Sequence, residues 1–530
     1  MTVRIVDLYP LKGTHNPGET VQLFAEVQAE EKARGAIQLR IYQLAREVEV
    51  REFPASFSPG SQRVALLWQP PSSPAAYGIE ARLLNSAGEP VSTASTACDV
   101  LSSWADFPRY GFLTDFSGNR QDISSTIASL ARYHINGIQF YDWHYRHDYL
   151  VSPTEVFVDP LGRRLSVETI RNFIRVAHEQ GMAAMAYLAV YAASLEFWQR
   201  HQDWALYNAE GRPLTFEGFL GLMDPSPEGA WSRHLRAQCA SALADLPFDG
   251  LHIDQYGEPR AGFNVAGQPV NLPQAFKRFI EDLRLAHPSA TLTFNAVKNW
   301  PIEALATAPQ DFVYIEMWPS TPHYADLYRI IRQARHLSNS KPVVIALYLD
   351  SDNLANIRLS NAIIYASGAT RIELGEQERL LADPYFPKHQ AILPELARML
   401  RRYADFAVRY SAFIGPAAAN APDVSVQAPE GVWPICRSLD GWLVVHLINM
   451  RGLDNQRWHE PHRPPWQLEH VRFDVKIPRA IKEVWWASPD GADLRLVPAD
   501  HRFQNNTVQV SIPRLDYWSC IAFELDAREA

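Results

Sequence analysis

Two hydrophobic periodicities divide the chain. Up to about residue 103, apolar and polar positions alternate in short runs, as in Val21-Gln-Leu-Phe-Ala-Glu-Val and Ile37-Gln-Leu-Arg-Ile-Tyr. Turn signals such as Asn16-Pro-Gly and Ser58-Pro-Gly separate these runs. Half-buried strands spaced this regularly predict an immunoglobulin-like β-sandwich over residues 1–103. From Arg109 the pattern changes to short, wholly apolar runs alternating with longer helical segments. Wholly apolar strands are those buried on both faces, which is the mark of a parallel sheet covered by helices. Eight such runs are present: Tyr110–Asp115, Gly137–Tyr141, Ala183–Val190, Gly250–Asp254, Thr291–Val297, Phe312–Met317, Val343–Tyr348 and Thr370–Leu374. Between them, residues 167–180 read as a helix stopped by Gly181, and residues 274–284 as one opened by Pro273. Eight βα units in about 300 residues predict a (β/α)8 barrel over residues 104–412. The longest connection, between the third and fourth strands, holds Phe197, Trp204, Tyr207 and residues 216–223, and reads as a large loop shaping a cleft. Past residue 413 alternation returns, as in Thr507-Val-Gln-Val-Ser-Ile, and predicts an antiparallel C-terminal sandwich over residues 413–530.

In a parallel barrel the chemistry sits at the carboxyl ends of the strands. Those ends carry Asp115, Tyr141-Asp142-Trp143-His144, Tyr187 and Tyr191, Asp254-Gln255-Tyr256, Asn295, Glu316 with Trp318, Tyr348 and Asp350, and Glu373. The ring is rich in acids, amides and aromatics and poor in cations, which suits a polyol and not a phosphate. Asp254 and Glu316 end the fourth and sixth strands, two strands apart. A carboxylate pair across a sugar-binding cleft can hydrolyse a glycosidic bond, one acid attacking C1 or activating water and the other protonating the leaving oxygen. The bland alternatives are a carboxylate capping the next loop for Asp254 and a buried, hydrogen-bonded acid for Glu316. Asp115, Tyr141, Asp142, His144, Tyr256, Asn295, Trp318 and Glu373 are the candidate sugar-binding residues around the pair.

Composition narrows the partners. A net charge of −9 over 530 residues argues against nucleic acid or an anionic membrane as partner. The 15 tryptophans and 21 tyrosines suit stacking on sugar rings. The four cysteines fall in three different predicted domains and form neither a CxxC pair nor a zinc spacing, so they read as free thiols. His144 and His147 are spaced i, i+3 outside a helix and read as hydroxyl contacts or loop packing. Asp350-Ser-Asp-Asn lacks the glycine and the twelfth-position glutamate of an EF-hand. No metal and no cofactor are therefore expected. The N-terminal stretch has no apolar core or small-residue cleavage site of a leader, so the compartment is left open.

Six stretches in order resemble glycoside hydrolase family 66: YGFLTDF (110–116), NGIQFYDWHYRHD (136–148), FDGLHIDQYG (248–257), TFNAV (293–297), YIEMWP (314–319) and ATRIELGE (369–376). That family contains endo-dextranases and cycloisomaltooligosaccharide glucanotransferases. The resemblance implies a retaining mechanism on α-1,6-linked glucan, with Asp254 as nucleophile and Glu316 as acid/base. It also implies that Asp115, Tyr141, Asp142, His144 and Asn295 line the subsite of the cleaved glucose. Secretion is what the family and its substrate imply, and a monomer is expected. Cyclising members carry an inserted carbohydrate-binding module, which no barrel loop here is long enough to hold. An endo-dextranase is therefore the expected activity, with a cyclising transferase or a non-catalytic glucan-binding protein as alternatives. Glu316, as the proton donor, is expected to have the higher pKa of the pair.

Overall fold

Eight parallel strands form a ring at the centre of the molecule. The structure is a computed structural model and describes residues 3–504 and 506–526. The strands are β1 (Tyr110–Leu113), β2 (Gly137–Phe140), β3 (Ala183–Ala189), β4 (Gly250–Asp254), β5 (Thr291–Val297), β6 (Val313–Glu316), β7 (Val343–Ala346) and β8 (Thr370–Ile372). They lie side by side in chain order. The ring closes just past β8, where the Phe112 amide donates to the Leu374 carbonyl at 3.2 Å. Helices cover the outside: α1 (Ile123–Arg132), α2 (Val167–Glu179), α3 (Ala230–Asp245), α4 (Leu272–Ala286), the single turn α5 (Ile302–Leu305), α6 (Tyr324–Leu337), α7 (Leu354–Ala366) and α8 (Pro394–Arg409). This is the (β/α)8 barrel read from the sequence.

Local chemistry sets the helix ends. The Ser166 hydroxyl accepts from the Thr169 amide to open α2, and Gly181, at φ +66°, follows its end in the left-handed conformation that glycine adopts without strain. Asn271 caps α4 in the same way, with Pro273 in its first turn.

Strand alternation decides what points where, because successive side chains in a strand take opposite faces. Tyr110, Phe112, Met185, Phe312, Tyr314, Val344, Ala346 and Ile372 share the barrel's inner core. Leu113, Ile138, Phe140, Leu251, Ile253, Val313 and Ile315 pack outward with the helices. Beneath the mouth, Tyr110 and His252 meet at 3.2 Å, with Tyr314 edge-on to His252. Burial holds His252 neutral, with its pKa lowered to about 3.

On one flank, strands from Val3 to Val100 build a three-stranded and a four-stranded antiparallel sheet over a shared apolar core. Strands from Ala419 to Leu525 build a six-stranded and a four-stranded sheet, and this second sandwich meets the first at the Arg46–Glu524 pair, 2.7 Å. The C-terminal sheet contributes Ile435, Val444 and Trp518 to the core formed by the barrel helices, so this sandwich packs on the barrel and is not tethered beside it. No described helix is long and apolar enough to cross a membrane.

Candidate active site

The uppermost inward layer of the barrel gathers the chemistry. Counting on by two from the inner-core residues puts Tyr141, Tyr187, Asp254, Asn295, Glu316 and Tyr348 on the inside, at the carboxyl ends of β2 to β7. Asn295, on the strand between the two acids, is the link. Its Nδ2 donates to Asp254 Oδ1 and to Glu316 Oε2, at 2.7 Å in each case. The two carboxylate oxygens are therefore no farther apart than twice 2.7 Å. Asp254 also accepts from the Tyr187 hydroxyl and from the Gln255 amide, both at 2.8 Å. Glu316 accepts from Trp318 Nε1 at 2.8 Å, and the nearby Tyr348 hydroxyl also favours its ionised form. Lys298 sits 5.0 Å over the Trp318 ring and adds the nearest positive charge.

Burial raises the pKa of both acids. Asp254 is pushed up to about 7, first by burial and then by the charge of Glu316, against its three donors. Glu316 is raised by burial, against the opposing pull of Asn295, Tyr348, Trp318 and Lys298. Two buried like charges this close keep one proton between them near neutral pH. Glu316 is expected to hold the higher value; here both acids are raised, and the shared proton belongs to the pair.

A cleft of about 500 Å³ opens over the pair. Of the residues singled out in the sequence, Tyr141, Asp142, His144, Tyr256 and Trp318 line it together with Asp254 and Glu316. Asp142 has its pKa raised to about 7 by burial, with Arg163 opposing. Burial lowers His144 and His147, the latter to about 4, so both face the cleft as neutral imidazoles. Their rings lie 4.5 Å apart, and each has a buried Nδ1 without a partner. Among the described residues no three His, Cys, Asp or Glu side chains converge as metal ligands.

Two expected residues are not brought to the cleft. Asp115 is half exposed and pairs with Arg120 at 3.2 Å. Glu373 accepts from Asn361 of α7 at 3.0 Å and pairs with Arg371 at 2.7 Å. Strand parity is the cause in both: Phe112 and Ile372 point inward, so Asp115 and Glu373, at odd offsets from them, point outward. The same parity turns Tyr187 and Tyr348 inward; the sequence places both at strand ends but does not single them out as sugar-binding residues. Glu217, Phe219, Leu161 and Tyr385 also line the cleft, from loops with no periodic signal.

A carboxylate pair at the mouth of a (β/α)8 barrel, beneath an aromatic-walled cleft, is the architecture of a glycosidase. The sequence model described as Glycosyl hydrolase family 66 matches residues 11–522, and the chain belongs to that family. Among curated relatives, a cycloisomaltooligosaccharide glucanotransferase of Niallia circulans is 23% identical over 96% of this chain and 71% of its own length. A dextranase of Streptococcus salivarius is 20% identical, over 85% of this chain and 67% of its own length. The solved structure of a Paenibacillus cycloisomaltooligosaccharide glucanotransferase, complexed with cycloisomaltoheptaose, superposes with a TM-score of 0.92. It is 22% identical and covers 98% of this chain and 100% of that one, a likeness of fold. The protein is a glucan-active enzyme of this family.

Proposed function

We propose that the protein cleaves α-1,6-glucosidic bonds within dextran and isomaltooligosaccharides, with retention of configuration. The observation that carries this reading is the pair of acids sharing one donor, Asn295. Closely spaced carboxyls, about 5–5.5 Å apart, fit a nucleophile and an acid/base, whereas the roughly 6.5–9.5 Å of an inverting pair leaves room for a water. The bound of twice 2.7 Å on the nearest oxygens favours the close pair.

In the first step Asp254 attacks C1 of the glucosyl unit as its bond to the leaving O6 breaks, and Glu316 gives its proton to that oxygen. A glucosyl ester on Asp254 results. In the second step Glu316, now ionised, takes a proton from water as the water oxygen bonds to C1 and the ester breaks. The chemistry needs the shared proton on Glu316. Positive charge developing at C1 stabilises ionised Asp254 and moves the proton there. Tyr187, Asn295 and the Gln255 amide fix the Asp254 oxygens for the attack.

The second reading is transfer to a sugar hydroxyl in place of water, as the names of the Niallia circulans and Paenibacillus relatives invite. The Niallia circulans alignment runs over 697 positions against the 530 residues here, so that relative carries segments this chain lacks. Incubation with dextran, pullulan, starch and mutan, followed by product analysis, tests both readings. Linear isomaltose-series sugars from dextran support the hydrolase, cyclic products support the transferase, and cleavage of another glucan alone overturns the linkage assignment.

A further inference from the structure

A small antiparallel sheet, Ala192–Ser194 with Thr215–Phe216 and Leu220–Leu222, rises from the connection after β3. Its hairpin tip forms part of the cleft wall through Phe216, Glu217 and Phe219. The base is rigid: a Cβ on Gly221 would meet the Trp198 ring at 2.0 Å, so only glycine lets this strand lie against that indole. Phe216 stacks on Tyr256 at 4.2 Å, and Tyr256 follows Asp254 by two residues, so the hairpin continues the aromatic wall outward from the acid pair.

The tip has a composition that the turn alone does not call for. The Phe219 amide donates to the Phe216 carbonyl at 2.9 Å, and both central residues have positive φ, Glu217 at 50° and Gly218 at 67°. Asn-Gly or Asp-Gly is the favoured pair in such a turn, because a longer side chain is strained there. Glu217 takes this strained position, is exposed, and forms no ion pair among the described residues. Phe219 leaves 41% of its surface exposed in the same cleft wall. A strained residue beside an exposed aromatic ring points to function.

We infer that this tip is a distal sugar subsite, binding a glucosyl unit of the chain away from the bond being cut. Phe219 offers a face for the apolar C–H side of the ring, and the Glu217 carboxylate accepts hydrogen bonds from its hydroxyls. The inference rests on the glucan-cleaving reading of the site and adds a contact that only the longer chains reach.

Glu217→Gly and Phe219→Ala test it. Glycine adopts positive φ freely, so Glu217→Gly should unfold within about 2 °C of the parent. In each variant the ratio of kcat/KM on a long chain to kcat/KM on the shortest oligosaccharide cleaved should fall about five-fold or more, through KM. The series is made from whichever glucan the parent cleaves, so a wrong linkage assignment does not decide the result. If both folded variants keep the parent ratio, the subsite assignment is overturned. Should the parent cleave none of the glucans, native gels cast with each of them replace the kinetics. Retardation lost in Phe219→Ala supports the subsite, and equal retardation, or none in the parent, overturns it.

Discussion

Asp254 and Glu316 accept hydrogen bonds from one and the same nitrogen, Nδ2 of Asn295, at 2.7 Å each. A single amide thus sets the spacing of the two acids and lowers the pKa of both. Asn295→Ala should reduce kcat about 10- to 100-fold, since hydrogen bonds to charged groups contribute about 1.5–3 kcal/mol. The donor favours the ionised form of each acid, so both limbs of the kcat/KM profile should move to higher pH in the variant. A lower rate with an unmoved profile would reduce Asn295 to a packing role.

The two acids should fail differently. Glu316→Gln should cut turnover of dextran by about 10²–10⁴-fold, the usual contribution of a general acid, and Asp254→Asn should cut it at least as far. Azide can replace either missing group on an aryl glucoside with an activated leaving group. With Asp254→Ala, azide attacks C1 in place of the carboxylate and should give the β-azide. With Glu316→Ala, it intercepts the ester and should give the α-azide. NMR of the anomeric proton reads the outcome, and the same anomer from both variants would sink the double displacement.

The barrel was legible because its strands are buried on both faces and read as uninterrupted apolar runs, while Gly181 and Pro273 mark helix ends by backbone chemistry alone. The acid pair was legible because β4 and β6 end in carboxylates. Asp115 and Glu373 lie near strand ends but on the outward parity, so position along the strand alone does not bring them to the cleft. Phe112 and Ile372 fix that parity, and the same count from Met185 and Ala346 turns the strand-end residues Tyr187 and Tyr348 toward the acids. Phe219 falls in the 216–223 stretch that reads as shaping the cleft, but no parity singles it or Tyr385 out. They sit on loops whose course is set by packing, with no period to read.

Asp142 makes stability depend on pH. Its carboxyl is raised to about 7 in the folded protein by burial, against about 3.9 in an unfolded chain. Between those values the folded state holds the extra proton, so stability falls as pH rises from about 4 to about 7 and stays reduced above that range. Asn is neutral at every pH and tolerates the φ of +50° at this position. Asp142→Asn should therefore be more stable than the parent at pH 8, by a few kcal/mol at most, and show little gain at pH 4. Thermal unfolding at the two pH values measures the difference; an equal gain at both would remove ionisation as the cause.

Asp490 fastens the C-terminal sandwich to the barrel. Its carboxylate pairs with Arg358 of α7 at 2.9 Å and accepts from the Tyr403 hydroxyl of α8 at 2.8 Å. Its other oxygen accepts from the amides of Tyr517 at 2.9 Å and Trp518 at 2.8 Å, at the start of the last strand. One buried group thus joins two barrel helices to the sheet that carries Trp518, whose indole packs within the helix core. Asp490→Ala leaves the Arg358 guanidinium and two amides without their partner, a loss of about 3–5 kcal/mol for a broken buried pair. Because sandwich and barrel share that core, the loss should appear as one transition displaced to lower denaturant, with the sandwich and barrel unfolding together. Tryptophan fluorescence and far-ultraviolet circular dichroism, followed through the same titration, should give coincident midpoints. Separated midpoints would show that Asp490 joins two units that unfold independently.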